Sequence, residues 1–393
     1  MGLGVLIASR GQHSLTTEVS EGLHVDLDNH DAALKRILDA ARQIAFIGVL
    51  GSDDSTVELA ALAARKLGLP HNPPHAARLS RRKDLARAHL ALAGCSVPKH
   101  YLINLEKPLA PQMGGLPWPC VLKPLHMSAS RGVIRVDNPA AFERACARIY
   151  SIIKDDGGNF ERHHLLVEDY IDGIEVAYEG YLHRGELHTL TLFDKPDPLQ
   201  GPYFEETIYV TPSRLPPDTQ ALIKQRVGEA CLAYGLNSGP VHAELRINDD
   251  DAWILEVAAR TIGGDCARIL DSGNDLKLET LTIALAIGQP VEARMLEGAR
   301  GVMMLPIPQG GILRRVEGIP AASRVPYIEK VDIIFQEGHE LVPLPEGNQY
   351  PGYLFAHADT PDQVTDALRT AHAKLKFVVA PVFKMHPQAD RFA

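Results

Sequence analysis

The chain has 393 residues, of which 45% are hydrophobic and 23% charged, with a formal net charge of -9 and an isoelectric point near 6.0. That length allows two or three domains with ample core, and the acidic balance excludes a nucleic-acid binder working by bulk positive charge. Cys95, Cys120, Cys146, Cys231 and Cys266 have no paired metal spacing and read as reduced thiols of a cytoplasmic protein, while no apolar run approaches the ~20 residues of a membrane span.

In chain order, residues 5–8 and 44–50 read as buried strands, each beside a helical pattern at 31–42 and 56–67, which predicts a small parallel α/β unit. Residues 51–56 join strand to helix without the spacing of a dinucleotide fingerprint, so they read as a helix cap with a substrate-facing edge. After a proline-rich joint at 70–74, residues 80–94 predict a capped amphipathic helix ending at Gly94. Its Lys83 would, taken alone, be a solvated surface charge.

A short strand at Cys120–Pro124 carries Lys123, and the Ser/Gly loop 125–132 leads into a second strand at 133–136. Such a loop can fold its N–H groups and hydroxyls over a phosphate chain above a fixed cation, or it can be a plain hairpin turn. A helix follows at Pro139–Ile153, then an unstructured tip at 154–159, then strands at 165–171 and 175–182 around Gly173. An apolar strand that exposes backbone donors at its exit suits a purine ring, and the carboxylate of Glu175 suits ribose hydroxyls. The sheet continues at 187–192. Residues 193–206 form a Pro/Gly-rich loop too long for a mere connector, with Lys195 and Glu206 as candidate readers of amino-acid end groups or simply surface charges.

Helix Pro217–Tyr234 precedes two apolar runs, 241–247 and 252–258, that read as an antiparallel hairpin. If Asn248 pairs with Ala252 around a three-residue loop, Glu244 lies opposite Glu256 on one face; a one-residue slip would part them. Facing carboxylates repel unless a cation lies between them, and carboxylate oxygens are ligands that Mg²⁺ accepts beside substrate phosphates. Both glutamates solvating an exposed face is the plainer reading. A helix at 276–286, strands at 301–306, 330–335 and 353–358, and a helix at 360–375 complete the chain.

The series of Lys83 before a helix ending Ala-Gly-x-x-Val-Pro98, Lys123-Pro with its Ser/Gly loop, Val167-Glu-Asp-Tyr-Ile-Asp-Gly-Ile-Glu175, and glutamates twelve apart with Arg260 beyond resembles ATP-grasp carboxylate–amine ligases over nearly the full length. It most resembles L-amino-acid ligases of the bacilysin-synthetase type, where the second metal glutamate opens a motif like Glu256-Val-Ala-Ala-Arg260 followed by Gly-Gly.

The resemblance implies an α/β (α+β) ATP-grasp fold: an N-terminal parallel α/β domain at 1–95, a lid lobe at 96–170 and a C-terminal lobe at 171–393 holding the metal and substrate site, the two lobes with largely antiparallel sheets. It implies that Lys83, Lys123, Ser128, Ser130 and Gly132 serve the ATP phosphates, Glu168, Asp169 and Ile171 the adenine, and Glu175 the ribose. Glu244 and Glu256 would hold Mg²⁺ or Mn²⁺, with two ions, and Arg260, Lys123 and Ser130 would be catalytic. Lys195, Glu206, Arg260, Gly263 and Gly264 would face the substrates, small acids and amines that are amino acids, joined through an acyl phosphate. No nucleic acid or membrane partner is implied, and a homodimer is.

Met127 and Ala129 replace two glycines usual in the family's loop, which predicts stiffer closure. Ala258 stands where many ATP-grasp enzymes have an asparagine ligand, so water or phosphate would complete the metal shell. A nucleotide-binding regulatory protein of the same fold and a biotin-carboxylase-like or purine-pathway enzyme remain as alternatives.

Overall fold

The computed structural model describes residues 2–10, 21–271, 277–289 and 297–382. At the N-terminus β1 (Leu6–Ser9) pairs in parallel with β2 (Glu21–His24). Helix α1 (His30–Ala40) begins where the Asn29 side chain accepts from the Ala32 N–H, and α2 (Val57–Leu67) buries an alanine face before stopping at left-handed Gly68. Residues 44–50 do not form the expected strand. They have no ladder partner among the described residues, and Ile44, Ile47 and Leu50 stay 38, 54 and 45% exposed. An apolar run becomes a strand only with a neighbour to bond; here Gly48 instead lies against the backbone of Ala286.

Helix α3 (Pro74–Leu79) starts on Pro74, whose missing N–H has no helical partner to lose. It also explains why the next helix, α4 (Lys83–Leu92), begins three residues later than expected. The Ser80 hydroxyl, at the first position of the expected helix, donates to the Ala77 carbonyl at 2.8 Å and closes α3 instead.

The stretch expected as the lid contains β3 (His100–Asn104), α5 (Leu109–Gln112), β4 (Cys120–Pro124), β5 (Ile134–Val136), α6 (Pro139–Ile153), α7 (Asn159–His163) and β6 (His164–Asp169). Its sheet runs β3-β6-β4-β5, antiparallel throughout. Phe142, Ile149 and Ile153 of α6 pack on Leu122 and Val167, each such buried side chain contributing about 1.5–3 kcal/mol. Residues 154–159, expected as an unstructured tip, make a turn into α7, and the Asp156 carboxylate lies 3.7 Å from both His126 and Arg131.

The remaining elements are β7 (Ile174–His183), β8 (Glu186–Asp194), β9 (Ile208–Thr211), α8 (Pro217–Tyr234), β10 (Gly239–Ile247), β11 (Ala252–Ala258), α9 (Cys266–Asp271), α10 (Leu278–Ala286), β12 (Ala299–Met304), β13 (Gly311–Glu317), α11 (Ile319–Ala322), β14 (Ile328–Ile333), β15 (Glu340–Leu341), β16 (Gly352–Ala358), α12 (Pro361–His372) and β17 (Lys376–Ala380). Position 276, expected to open α10, lies outside the described residues. An eight-stranded sheet runs β11-β10-β7-β8-β9-β12-β16-β14 with every neighbour antiparallel, beside a small sheet β15-β13-β17. Ile223, Val227 and Tyr234 of α8 pack on Leu245, Ile254 and Val257, and Val364 and Leu368 of α12 pack on Val210, Met303 and Leu354. This packing fixes β7, β10 and β11 against α8. The five cysteines are free, and among the described residues no helix is long and apolar enough to cross a membrane.

Candidate active site

The geometry of the site starts from the β10–β11 hairpin. Ile247 pairs with Ala252, so the turn has four residues rather than the three expected, and the Asn248 side-chain oxygen Oδ1 closes it by accepting from the backbone N–H groups of Asp250 and Asp251 at 3.1 and 3.2 Å. Continued straight, that register would set Glu244 opposite Leu255. A β-bulge takes up the extra residue, Leu245 pairing with Ile254 and Glu244 with Glu256. The Arg87 guanidinium secures the bulge, donating to the carbonyls of Ile254 and Leu255 at 2.8 and 2.7 Å. The two glutamates therefore do face one another, through a bulge the sequence did not announce, with 24 and 26% of their side chains exposed.

Strand alternation puts His242, Glu244 and Arg246 on one face of β10, where Glu179 and Glu175 of β7 pair with His242 and Arg246. Glu179 is fully buried, accepts from the Ile262 N–H and meets His242 Nδ1 at 3.2 Å. Burial alone would lower the His242 pKa, but hydrogen bonds and charge from Glu179 and Glu244 overrule it and push it to about 9. Arg246 ties Glu175 to the chain, donating to its carboxylate at 3.1 Å and to the Ile171 carbonyl at 2.8 Å.

Lys195 is not a charge on a solvated loop. Its side chain is 3% exposed, and its three ammonium donors meet Glu175 at 2.9 Å, Glu206 at 2.7 Å and Glu244 at 3.1 Å. All three N–H bonds are thus spent, which removes Lys195 as a reader of substrate end groups. The three carboxylates bring donor oxygens within 4.8 Å of one another. Such hard oxygens are donors that Mg²⁺ or Mn²⁺ accepts, but the Lys195 ammonium fills the centre of this set, so the facing Glu244 and Glu256 are the pair that fits a divalent cation. Burial pushes Glu206 up to about 7, Lys195 opposing and Glu244 reinforcing the rise.

On the lid side Lys123 Nζ meets Glu168 at 2.6 Å, and Arg87 Nε meets the other oxygen of the same carboxylate at 2.6 Å. Burial disfavours the charged Glu168, yet the two cations outweigh it and hold its pKa at about 2. Lys83, at the start of α4, reaches Glu256 at 2.8 Å; burial works against its charge, and Glu256 restores it above the ordinary lysine range. Arg260 closes a two-bond fork on Asp54, described below.

The lid loop lies over this floor. Ala129 and Ser130 take φ values of 53° and 54°, and Gly132 takes 72° while donating to the Pro345 carbonyl at 2.8 Å. Two of these three left-handed positions are filled by residues with a side chain to strain there; of the two that replace the family's glycines, Ala129 is one of them and Met127 is not. A Cβ on Gly132 would sit 2.7 Å from Pro124 Cγ. Gly132→Ala is expected to destabilise the lid by about 1–3 kcal/mol, seen as a lower urea midpoint, with Ala129→Gly shifting it upward.

A cleft of about 390 Å³ lies among these groups. Lys83, Lys123, Ser128, Ser130, Glu168, Asp169, Ile171, Glu175, Glu206, Glu244, Glu256, Arg260, Gly263 and Gly264 line it, whereas Gly132 and Lys195 do not. Asp54, Tyr209, His242, Arg246 and Tyr350 also line it and were not singled out from sequence. For His242 and Arg246 the signal was present: each is two residues from Glu244 on a strand, hence on its face. Tyr209 and Tyr350 come from distant elements and carried no local mark.

Comparison with known proteins gives three family models in succession along the chain: ATP-grasp N-terminal domain over residues 1–71, ATP-grasp domain over 116–269, and L-amino acid ligase C-terminal domain 2 over 303–380. Carnosine synthase 1 of Gallus gallus is 28% identical over 332 residues, a stretch covering 79% of this chain and 35% of that protein. Alanine–anticapsin ligase of Bacillus subtilis is 26% identical over 257 residues, covering 61% of this chain and 54% of that one. The chain thus spans about a third of the length of carnosine synthase and half of the ligase. The L-amino acid ligase from Bacillus licheniformis superposes with a TM-score of 0.77 at 24% identity, covering 92% of this chain and 88% of that one, and phosphoribosylglycinamide synthetase from Anaerococcus prevotii with 0.68 at 15%, covering 96% and 94%. Those superpositions place the antiparallel lobes and the cleft between them in a known fold. The chain therefore has the ATP-grasp fold, and along it stretches similar to an ATP-grasp N-terminal domain, an ATP-grasp domain and the second C-terminal domain of L-amino acid ligases follow one another.

Proposed function

We propose that the protein is an ATP-dependent carbon–nitrogen ligase that activates an amino-acid carboxylate as an acyl phosphate and joins it to an amine, releasing ADP and phosphate. The observation that carries this reading is the convergence in one cleft of Lys83 and Lys123 with Glu244, Glu256 and Arg260. Two ammonium groups suit a triphosphate, facing carboxylates suit a hard divalent cation, and a guanidinium suits a second anion. Relatives that join amino acids, alanine–anticapsin ligase among them, support the substrate class.

In this reading Lys123, held at a fixed height by Glu168, lies under the phosphates while Ser128 and Ser130 cover them from the lid. Asp169 and Ile171 border the adenine and Glu175 the ribose. Mg²⁺ or Mn²⁺ held by Glu244 and Glu256 would neutralise developing charge on the transferred phosphoryl group. Lys83 and Lys195 are the groups that balance these carboxylates, so Lys83 is positioned to pass from Glu256 to a phosphate oxygen. Arg260 orients the attacking carboxylate, and Glu206 lies where an amine can be received, beside Gly263 and Gly264. A Cβ on Gly263 would meet nothing within 4 Å, whereas Gly264 lies against the Met304 sulfur. A cytoplasmic location is consistent with five free cysteines.

The test is phosphate release over a matrix of amino-acid pairs with ATP and Mg²⁺, followed by mass spectrometry of product. ADP and phosphate are expected only when both an acid and an amine are present. Formation of AMP and pyrophosphate, or ADP release indifferent to amino acids, would overturn the proposal.

A further inference from the structure

Asp54 reaches from the N-terminal domain into the cleft, where Arg260 Nε donates to one of its oxygens at 2.7 Å and Nη2 to the other at 2.8 Å. Arg260 Nη1 is turned away and donates to the Thr261 carbonyl at 2.9 Å. The loop is shaped to present this one carboxylate. At Gly51 the chain folds back so closely that a Cβ would sit 2.7 Å from the Val57 Cα. Asp53 spends its side chain within the loop, accepting from the Ser55 N–H at 2.8 Å, so Asp54 alone of the two is directed at the guanidinium. The fork is largely covered, Arg260 being 17% and Asp54 20% exposed, and Lys83, Glu256 and Glu244 are its charged neighbours.

We propose that the Asp54–Arg260 pair is a reader of zwitterions, which admits an amino acid and rejects a carboxylic acid that lacks an amine. This rests on the ligase reading above. A guanidinium edge takes one carboxylate in bidentate fashion, so a substrate carboxylate claiming that edge must displace Asp54. A simple carboxylate would then leave Asp54 without its guanidinium in a covered place, with only the Lys83 ammonium near it, itself bonded to Glu256 at 2.8 Å. An amino acid brings the missing charge: its carboxylate goes to Arg260 and its ammonium to Asp54. Every charge remains paired after the exchange, and discrimination comes from the penalty on the wrong ligand rather than from extra contact to the right one. The substrate class that satisfies this is an α- or β-amino acid, whatever its side chain. Bicarbonate and formate do not satisfy it.

Calorimetric titration of the full chain, with Mg²⁺ and a non-hydrolysable ATP analogue present, tests this with L-alanine, β-alanine and propionate as probes. The native protein is expected to bind at least one of the two amino acids about tenfold or more tighter than propionate. In Asp54→Asn the ratio should fall to about twofold, mainly through tighter propionate binding, and Asp54→Glu should restore part of it. Circular dichroism melts of both variants establish that they are folded. If Asp54→Asn weakens all three probes alike, or leaves the ratio unchanged, Asp54 has a structural part only and the inference is overturned. Should the native protein bind none of them and release no ADP with any amino-acid pair, the ligase reading falls and this inference with it.

Discussion

Glu256→Gln is expected to lower the rate of ADP formation by at least about 10²–10³-fold, the usual scale when one preorganised group facing a developing charge is removed. The amide keeps the shape and one oxygen but loses the charge that the facing pair needs to hold a divalent cation. It also releases Lys83, whose ammonium lies 2.8 Å from Glu256 and is 15% exposed. These two effects separate experimentally. Lys83→Met alone should weaken ATP binding while leaving the carboxylate pair intact, and the double variant should be no slower than Glu256→Gln if both residues act on the same phosphoryl transfer. A coupled ADP assay with titrated Mg²⁺ reads the outcome. If Glu256→Gln keeps more than half the native rate at saturating Mg²⁺, the facing glutamates do not hold the metal and a regulatory nucleotide-binding role becomes the better account. Glu244→Gln should give a different pattern, because Glu244 is also held by Lys195 and lies 3.8 Å from His242.

The legible parts of this chain are those whose signal is local. Helices Pro139–Ile153 and Pro217–Tyr234 have the expected bounds because a proline in the first turn and an apolar face fix them from within. The convergence of Glu244 and Glu256 was legible from alternation, although the turn length assumed was wrong by one residue. Two errors cancelled there: the longer turn moved the register and the bulge at Leu255 moved it back. Residues 44–50 failed for the opposite reason, since whether an apolar run becomes a strand depends on a neighbour that sequence does not show. Lys195 failed because a loop rich in proline and glycine gives no sign that its first lysine turns inward onto carboxylates 20 positions before it and 49 after it. Asp54 belongs with it, 206 positions from the arginine it meets. Long-range charge pairing is the layer that composition and periodicity leave blank.

Glu168→Gln is expected to cost about 3–5 kcal/mol of stability, the scale for removing one member of a buried ion network. Glu168 is 2% exposed at its side chain and receives Lys123 and Arg87, one on each oxygen. Glutamine preserves the volume but leaves two covered cations facing a neutral amide. The effect should depend on pH in a defined direction. Glu168 has its pKa lowered from 4.5 to about 2 in the folded chain, so its contribution is complete above the unfolded value and is lost as pH falls through the folded one. Native protein should therefore lose urea stability between about pH 4.5 and pH 2 more steeply than Glu168→Gln, which begins lower and follows a shallower acid limb. Parallel limbs would mean that the ion network does not set the folded-state charge. The same variant bears on function, because Lys123 freed from Glu168 can swing away from the phosphates. Weaker ATP binding in Glu168→Gln at neutral pH, where the protein remains folded, would connect the buried network to the position of the cation above it.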